Sequence, residues 1–296
     1  MIALIDGDVV AQRAAFAAEK THYKVYIAGE IEEGGVVHTA LSKDELNTWL
    51  EASGKPEDYF IVEREKVYAP LDTSIMAAKA IMESILNTLG CSEYKLYIKG
   101  TGNFRYDIAT IKPYKGNRDP SARPKYIDDV YKYLERQWDA VKVDAMEVDD
   151  RLGIKQYTWF KMTYPTYGKD GQSTIICSID KDLNMIPGWH YNFVTNERYW
   201  IDELEAVRNF YRQCIQGDHT DNVPGLYNIT GKRYTKELSK IFEGIKTTKE
   251  MDAFVLEQYK GHEKELDEIK QLLWIKREEN EVGPETPMAT EDTQGC

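Results

Sequence analysis

The sequence predicts an α/β protein: a mostly parallel sheet flanked by helices, followed by a smaller segment made of helices alone. Three observations predict it. Short apolar runs alternate with stretches of helical periodicity from the N-terminus to about residue 216. Runs such as Ile-Ala-Leu-Ile at 2–5 are continuous rather than alternating, as in strands buried on both faces. From Gly217 onward only helix and turn signals remain.

Taken in order, the run at 2–5 ends in Asp6-Gly7-Asp8 and leads into a helix to about residue 20. Residues 21–70 break the alternation. Val25-Tyr26-Ile27, Val36-Val37 and Tyr59-Phe60-Ile61-Val62 are strand-like, with a Gly34-Gly35 turn signal and a helix near 43–52, which describes an inserted hairpin-and-helix subdomain. Ile75, Met82, Ile85, Leu86 and Leu89 recur at helical spacing before Gly90 and predict a helix over 72–89. A strand at 94–98 enters a Gly/Lys/Arg-rich stretch, 99–125. A helix at 126–138, a strand at 140–143, a helix at 147–157, a strand at 173–179 and a helix at 182–186 follow. Strands at 191–194 and 199–201 and a helix over 203–216 complete this part. The polar stretch 278–296, with two prolines, is expected to be disordered.

Composition narrows the function. A chain of 296 residues is twice the usual domain of about 150, and 42% apolar residues suffice for a core. No apolar run reaches membrane-spanning length, so no membrane association is expected. MIALIDGDVV has no basic segment and meets Asp6 early, which argues against a signal peptide. Cys91, Cys177, Cys214 and Cys296 are scattered, and the five histidines lack ligand spacing, so neither a disulfide framework nor zinc is expected and the cytoplasm is the expected compartment. The net charge of −12 does not exclude a nucleic-acid partner. Residues 278–296 hold six acids and no Lys or Arg, whereas 95–136 hold ten basic residues against five acidic ones. Screening over about 8–10 Å leaves such a strip free to grip phosphates.

Ligands of an open α/β sheet sit beyond the carboxyl ends of its strands, and there the sequence is one-sided. Asp6 and Asp8 follow the first strand, and Glu147, Asp149 and Asp150 follow the strand at 140–143. Asp180 and Asp182 follow the strand at 173–179, and Asp218 and Asp221 follow the helix at 203–216. A single Asp at such a junction is more often a helix cap. Four acidic groups on one rim repel one another unless a cation binds, and hard oxygen donors select magnesium or manganese. Two such ions about 4 Å apart suit phosphodiester chemistry. Tyr114-Lys115-Gly116-Asn117-Arg118-Asp119 adds a phosphate grip, with Lys115 and Arg118 facing the same way if the segment is helical.

These motifs carry a resemblance. Asp6, Tyr-Lys-Gly-Asn-Arg-Asp at 114–119, Glu-Val-Asp-Asp at 147–150, Ser-Ile-Asp-Lys-Asp at 178–182 and Gly-Asp-His-Thr-Asp-Asn-Val-Pro-Gly at 217–225 occur in the order of the 5′-nuclease, or flap endonuclease, family. The sequence resembles above all the free-standing bacteriophage 5′–3′ exonucleases and the 5′-nuclease domain of bacterial DNA polymerase I, over about 1–245 without the insertion. The resemblance implies a PIN-like nuclease domain over 1–216 with an arch at 99–138. It also implies a helix–three-turn–helix unit at 217–277 and metal-dependent 5′–3′ exonuclease and flap endonuclease activity on DNA.

Carried over by residue, Asp6, Glu147, Asp149 and Asp150 match the inner metal cluster, and Asp180, Asp182, Asp218 and Asp221 match chiefly the second. Lys115 and Arg118 match the residues on the scissile phosphate. Arg105, Tyr114, Lys115, Arg118, Lys232 and Arg233 are the expected DNA contacts. Two Mg2+ or Mn2+ ions are implied, with K+ possible at the helix–three-turn–helix unit. The expected partners are DNA with 5′ ends or flaps and a separate replication polymerase; a monomer in a bacterial or phage-infected cytoplasm is the expected state.

Two departures stand out. No carboxylate follows the strand at 94–98 before Asp107, although the family places a ligand near Thr101. That ligand is absent, replaced by Asp8, or supplied through water, with water slightly favoured. In the turn 225–231, Thr230 occupies a usual glycine position and Asn228 is the residue tolerant of positive φ. A PIN-type ribonuclease and a non-catalytic DNA-junction binding protein are the alternative readings.

Overall fold

The computed structural model describes residues 1–29 and 35–281. Gly34 of the expected turn, and 282–296 of the stretch expected to be disordered, lie outside the described residues. Strand β1 (Ile2–Asp6) is followed by α1 (Gly7–Phe16), β2 (Glu19–Ile27), β3 (His38–Ala40), α2 (Lys43–Ser53), β4 (Phe60–Tyr68) and α3 (Leu71–Leu89). Next come β5 (Glu93–Lys99), the one-turn α4 (Arg105–Ile108), α5 (Ile127–Trp138), β6 (Val141–Val143), α6 (Val148–Tyr167) and β7 (Thr174–Cys177). The remaining elements are β8 (Gly188–Asn192), β9 (Glu197–Ile201), α7 (Glu203–Gln216), α8 (Leu226–Thr230), α9 (Lys236–Gly244), α10 (Thr248–Gln258) and α11 (Glu263–Leu273).

The chain falls into two compact units. One comprises Met1–Val10, Met82–Arg123 and the described residues from Leu134 onward; the other comprises the described residues of Ala11–Ile81 and Pro124–Tyr133. The first holds a six-stranded sheet in the order β6-β5-β1-β7-β8-β9, parallel except for β9. Strand β1 lies inside it, pairing with β5 on one side and β7 on the other, which is why its side chains are apolar on both faces. Leu4 and Ile176 of the sheet pack with Val148 and Leu152 of α6 and with Leu183, Ile186 and Ile275. A second core joins Phe210 and Cys214 of α7 to Phe242 of α9, Val255 of α10 and Ile269 of α11. Within it the Tyr259 hydroxyl donates to the Cys214 carbonyl at 2.7 Å. The 217–277 segment therefore shares the sheet's unit.

The second unit contains an antiparallel sheet in the order β3-β2-β4. Val25, Ala40 and Phe60 pack on Leu46 and Trp49 of α2, and a Lys24–Glu65 ion pair of 3.0 Å links β2 to β4.

Several boundaries differ from expectation. The first helix stops at Phe16 because pairing of β2 with β4 begins at Glu19, opposite Tyr68. Helix α6 continues to Tyr167, ten residues past its expected end at 157. Residues Asp182–Met185 form a 3-10 turn, since the short span between β7 and β8 leaves no room for a full helix. The stretch before α5 holds only α4 and a 3-10 turn at Pro120–Ala122, capped by Asp119. In the turn 225–231, Asn228 lies inside α8, where its side chain accepts the Gly225 N–H at 3.3 Å. Gly231, at φ 74, takes the left-handed position expected for Asn228.

Two glycines set the loop after α7. Gly217 has φ 75, and a Cβ on it would lie 2.4 Å from the Gly225 nitrogen. A Cβ on Gly225 would lie 2.4 Å from the carbonyl of Gln216, although its own φ of −99 suits any residue. Overpacking of this kind costs about 1–3 kcal/mol. Gly225→Ala is therefore expected to lower the thermal midpoint by several degrees, and Gly231→Ala by less, because open space surrounds Gly231 and only its backbone is strained. Thermal unfolding of both variants checks the close approach; wild-type behaviour of Gly225→Ala would contradict it.

Candidate active site

The chain leaves β1 towards β5 and β6, then returns to β7 on the other side of β1, so the strand order reverses between β1 and β7. The crevice at such a switch point is where open sheets place ligands. Asp6 ends β1 there and is only 2% exposed. Its Oδ1 accepts the Val9 N–H at 3.1 Å, and its Oδ2 accepts the Ser178 hydroxyl, just past β7, at 2.7 Å. The Ser178 oxygen in turn accepts the Asp180 N–H at 3.0 Å, and Asp180 accepts the Asp182 N–H at 2.9 Å. Gln213 of α7 donates its side-chain amide to Asp182 at 2.9 Å. Beyond α7, a bridge between Asp218 and Val223 closes a tight loop, and the Asp218 carboxylate accepts the N–H groups of Thr220 and Asp221. Glu147 caps α6, with Asp149 in the first turn.

These carboxylates act on one another. Burial, with Asp8 beside it, pushes Asp6 up to about 7. Asp149 is raised well above the usual carboxylate range by burial, then by Asp6, Asp180 and Glu147. Asp180 keeps contact with solvent, yet the surrounding protein, Asp221 and Asp218 raise it. Burial and then Asp180, Asp218 and Asp221 push Asp182 up to about 7. One field therefore covers groups from all four acidic segments.

The basic residues are set into the same rim. The Lys115 ammonium pairs with Glu147 and lies 3.4 Å from Asp221. Burial works to lower Lys115, but Glu147 and Asp221 hold it above its ordinary value. Arg118 reaches Asp221 at 2.7 Å. The Tyr114 hydroxyl lies 2.6 Å from the Asp221 carboxylate and 3.2 Å from that of Glu147. Lys115 and Arg118 do not share a helical turn. Lys115 has φ 56, and the segment is held by bonds to the 218–222 loop: Lys115 N–H to the Asp221 carbonyl at 2.9 Å, and the Asn222 amide to the Pro113 carbonyl at 2.9 Å.

Two expected site residues belong elsewhere. Asp150, expected as a metal ligand, is fully buried, and both its oxygens accept from the Arg105 guanidinium at 2.6 and 2.8 Å. It also accepts the N–H groups of Glu147 and Lys276. Arg105, expected on DNA, is 2% exposed and spends its other donors on the carbonyls of Leu272 and Trp274. Neither has a face left for an ion or a phosphate. Lys232 and Arg233 are exposed; Lys232 donates to the Gln258 carbonyl, and Arg233 lies over the Tyr227 ring.

The gap at Thr101 is bordered by two carboxylates. Asp8 accepts the Lys99 N–H at 2.8 Å at the carboxyl end of β5. Asp144, just after β6, accepts both the N–H and the hydroxyl of Thr101 at 2.7 and 2.9 Å. Sequence reasoning passed over Asp144, although the strand-end rule that selected Asp180 applies to it equally. It also missed Asn103, which donates to Glu147 at 2.8 Å, and Gln213, and gave Ser178 of the 178–182 motif no role; none of the three carries a charge to betray it.

The donor set suits a hard divalent cation: it is oxygen only and densely acidic, with Asp6, Asp149, Asp180 and Asp182 raised first by burial and then by neighbouring carboxylates. It is not gathered into a ready cage. Among the described residues, no group of three His, Cys, Asp or Glu could hold an ion as placed. Glu147 and Asp221 are turned to Lys115, Arg118 and Tyr114 instead.

No protein-family model and no curated protein matches the sequence. Among solved structures, the chain is similar to a bacteriophage T5 5′-exonuclease variant at 11% identity, over 92% of this chain and 87% of that one, with a TM-score of 0.46. It is similar to a bacteriophage T5 flap endonuclease variant in a pseudo-enzyme–product complex with DNA and metal ions, at 15% identity over 66% and 78% of the chains, with a TM-score of 0.45. The T5 D15 protein co-crystallised with metal ions aligns at 13% identity over 67% and 82%, with a TM-score of 0.44. Likeness of this degree carries no argument about residues or activity, which rests on the geometry above.

Two outcomes follow from that geometry. Asp150→Asn should destabilise the chain by about 3–5 kcal/mol in urea, because Arg105 is left buried without its counter-charge; a change below 1 kcal/mol would contradict the pairing. The second concerns pH. Asp6 and Asp182 bind their protons more tightly folded than unfolded, moving from 3.8 to about 7. The folded state thus holds more protons across that window, so without divalent ions stability should fall as pH rises from about 4 to about 7. Asp182→Asn removes one such group and should raise the thermal midpoint at pH 8 while changing it little at pH 4.5.

Proposed function

We propose that the protein is a metal-dependent 5′-nuclease that hydrolyses phosphodiester bonds of DNA, both from 5′ ends and at 5′ flaps. The observation that carries this reading is the shared rim. Carboxylates from four chain segments meet at a sheet switch point, Asp6, Asp149, Asp180 and Asp182 among them raised in pKa, with Lys115 and Arg118 set into the same rim. Asp6, Glu147 and Asp149 would hold one Mg2+ or Mn2+ ion and Asp180, Asp182, Asp218 and Asp221 chiefly a second. Ions so held supply a nucleophilic water near neutral pH and stabilise charge on a leaving oxygen.

The chain's own residues do the rest. Lys115 and Arg118 carry the positive charge that offsets the scissile phosphate in the transition state. Tyr114 orients Asp221 by donating its hydroxyl to that carboxylate at 2.6 Å. Ser178 and the Val9 N–H hold the Asp6 carboxylate in place, and Gln213 does so for Asp182. Lys232 and Arg233, exposed after α8, offer phosphate contacts to the duplex, with K+ a candidate at the same turn. In this reading the protein acts as a monomer in the cytoplasm of a bacterial or phage-infected cell, beside a separate replication polymerase.

Cleavage of a 5′-labelled flapped duplex in magnesium, with an RNA hairpin as control, tests the assignment. Preferred cleavage of the hairpin would make the protein a ribonuclease, and binding without cleavage would make it a junction-binding protein. Asp180→Asn should remove most magnesium-dependent cleavage while metal-free DNA binding stays similar or improves, since one repelling charge is gone. Wild-type turnover in that variant would exclude Asp180 from the site. Arg118→Ala should lower the single-turnover rate far more than duplex affinity; equal losses would mean that Arg118 only anchors substrate.

A further inference from the structure

We infer that Lys115 is a built-in counter-ion that competes with divalent cations for Glu147 and Asp221. This rests on the metal reading above and adds to it a reason for the site's metal to depend on substrate. The ammonium pairs with Glu147 and lies 3.4 Å from the Asp221 carboxylate, while Arg118 takes the other Asp221 oxygen at 2.7 Å. Two carboxylates are thus matched by two cations of the chain itself. The placement is built into the backbone. Lys115 adopts φ 56, a left-handed conformation uncommon for a non-glycine residue, and its N–H is fixed to the Asp221 carbonyl at 2.9 Å. Asn222, also left-handed at φ 61, ties the Pro113 carbonyl to the same loop at 2.9 Å. An outlying conformation held by several bonds points to a functional setting of the side chain.

The consequence is an exchange. A carboxylate oxygen that accepts a charged hydrogen bond from Lys115 cannot offer the same lone pair to an ion, and the ammonium repels the ion besides. Ions are gathered fully only when Lys115 swings off Glu147 and Asp221, and the group that can receive it is an anionic phosphate. Metal and phosphate therefore favour each other's binding by displacing one side chain, and the coupling is reciprocal.

Titrating Mn2+ into the DNA-free protein, with free Mn2+ followed by electron paramagnetic resonance, tests this without any measurement of cleavage. Lys115→Met should bind Mn2+ at least about fivefold tighter than wild type, the lower end of common coupling. Lys115→Arg, which keeps the charge, should bind as wild type does. Circular dichroism establishes that each variant is folded, and Lys115→Gln replaces the Met variant if that one is not. Unchanged or weaker binding in the neutral variant overturns the proposal. If Asp149→Asn binds Mn2+ as tightly as wild type, or if no chain binds it at millimolar concentration, the metal reading fails and the proposal falls with it.

Discussion

The Arg105–Asp150 pair is the constraint on which much of the site depends. Removing two charges from water costs several kcal/mol each, and a buried pair repays this only when its remaining hydrogen-bonding capacity is filled. Here it is filled with backbone. Asp150 receives the N–H groups of Glu147 and Lys276, and Arg105 gives to the carbonyls of Leu272 and Trp274. One ion pair thereby fixes the start of α6, the root of the 105–118 segment and the chain beyond α11. Glu147 and Asp149 inherit their position from the first of these, and Tyr114, Lys115 and Arg118 from the second. The pair positions the rim while its own charges are spent on each other and on the backbone.

A division of labour follows. Four carboxylates facing the crevice, Asp6, Asp149, Asp180 and Asp182, have among the described residues no matching cation close enough to cancel their rise in pKa, whereas the residues just behind them are neutral. Ser178, Asn103 and Gln213 give neutral hydrogen bonds that aim the front carboxylates without discharging them. Unmet charge in front of a neutral hydrogen-bonding shell is what a site needs if its missing charge is to come from an ion.

The acidic rim was legible in the sequence because each strand end announces itself locally: an apolar run, then Asp or Glu. The same local rule admitted Asp150, whose position differs from that of Asp149 by one residue and therefore by about 100° around the helix. Only its partner Arg105, 45 residues away, decides that it faces inward. Arg105 was misread for the mirror-image reason, since a basic strip looks solvent-facing until its counter-charge is found. The pairing of Lys115 and Arg118 with Glu147 and Asp221 was likewise out of reach, because a left-handed lysine leaves no mark in a pattern of hydrophobicity. The boundary of α1 was set by strand pairing, which sequence periodicity does not see.

The position of β1 also bears on how the chain is made. Its partners are β5, where Ile5 stands opposite Leu96, and β7, where Ile5 stands opposite Cys177. During synthesis β1 emerges before the other strands of the sheet and waits for some 170 residues before its second edge is covered. Until then it presents a flat apolar template with unpaired backbone groups, the feature by which nascent chains find wrong partners. Asp6, at the tip of that strand, therefore acquires its Ser178 neighbour only after β7 has been made.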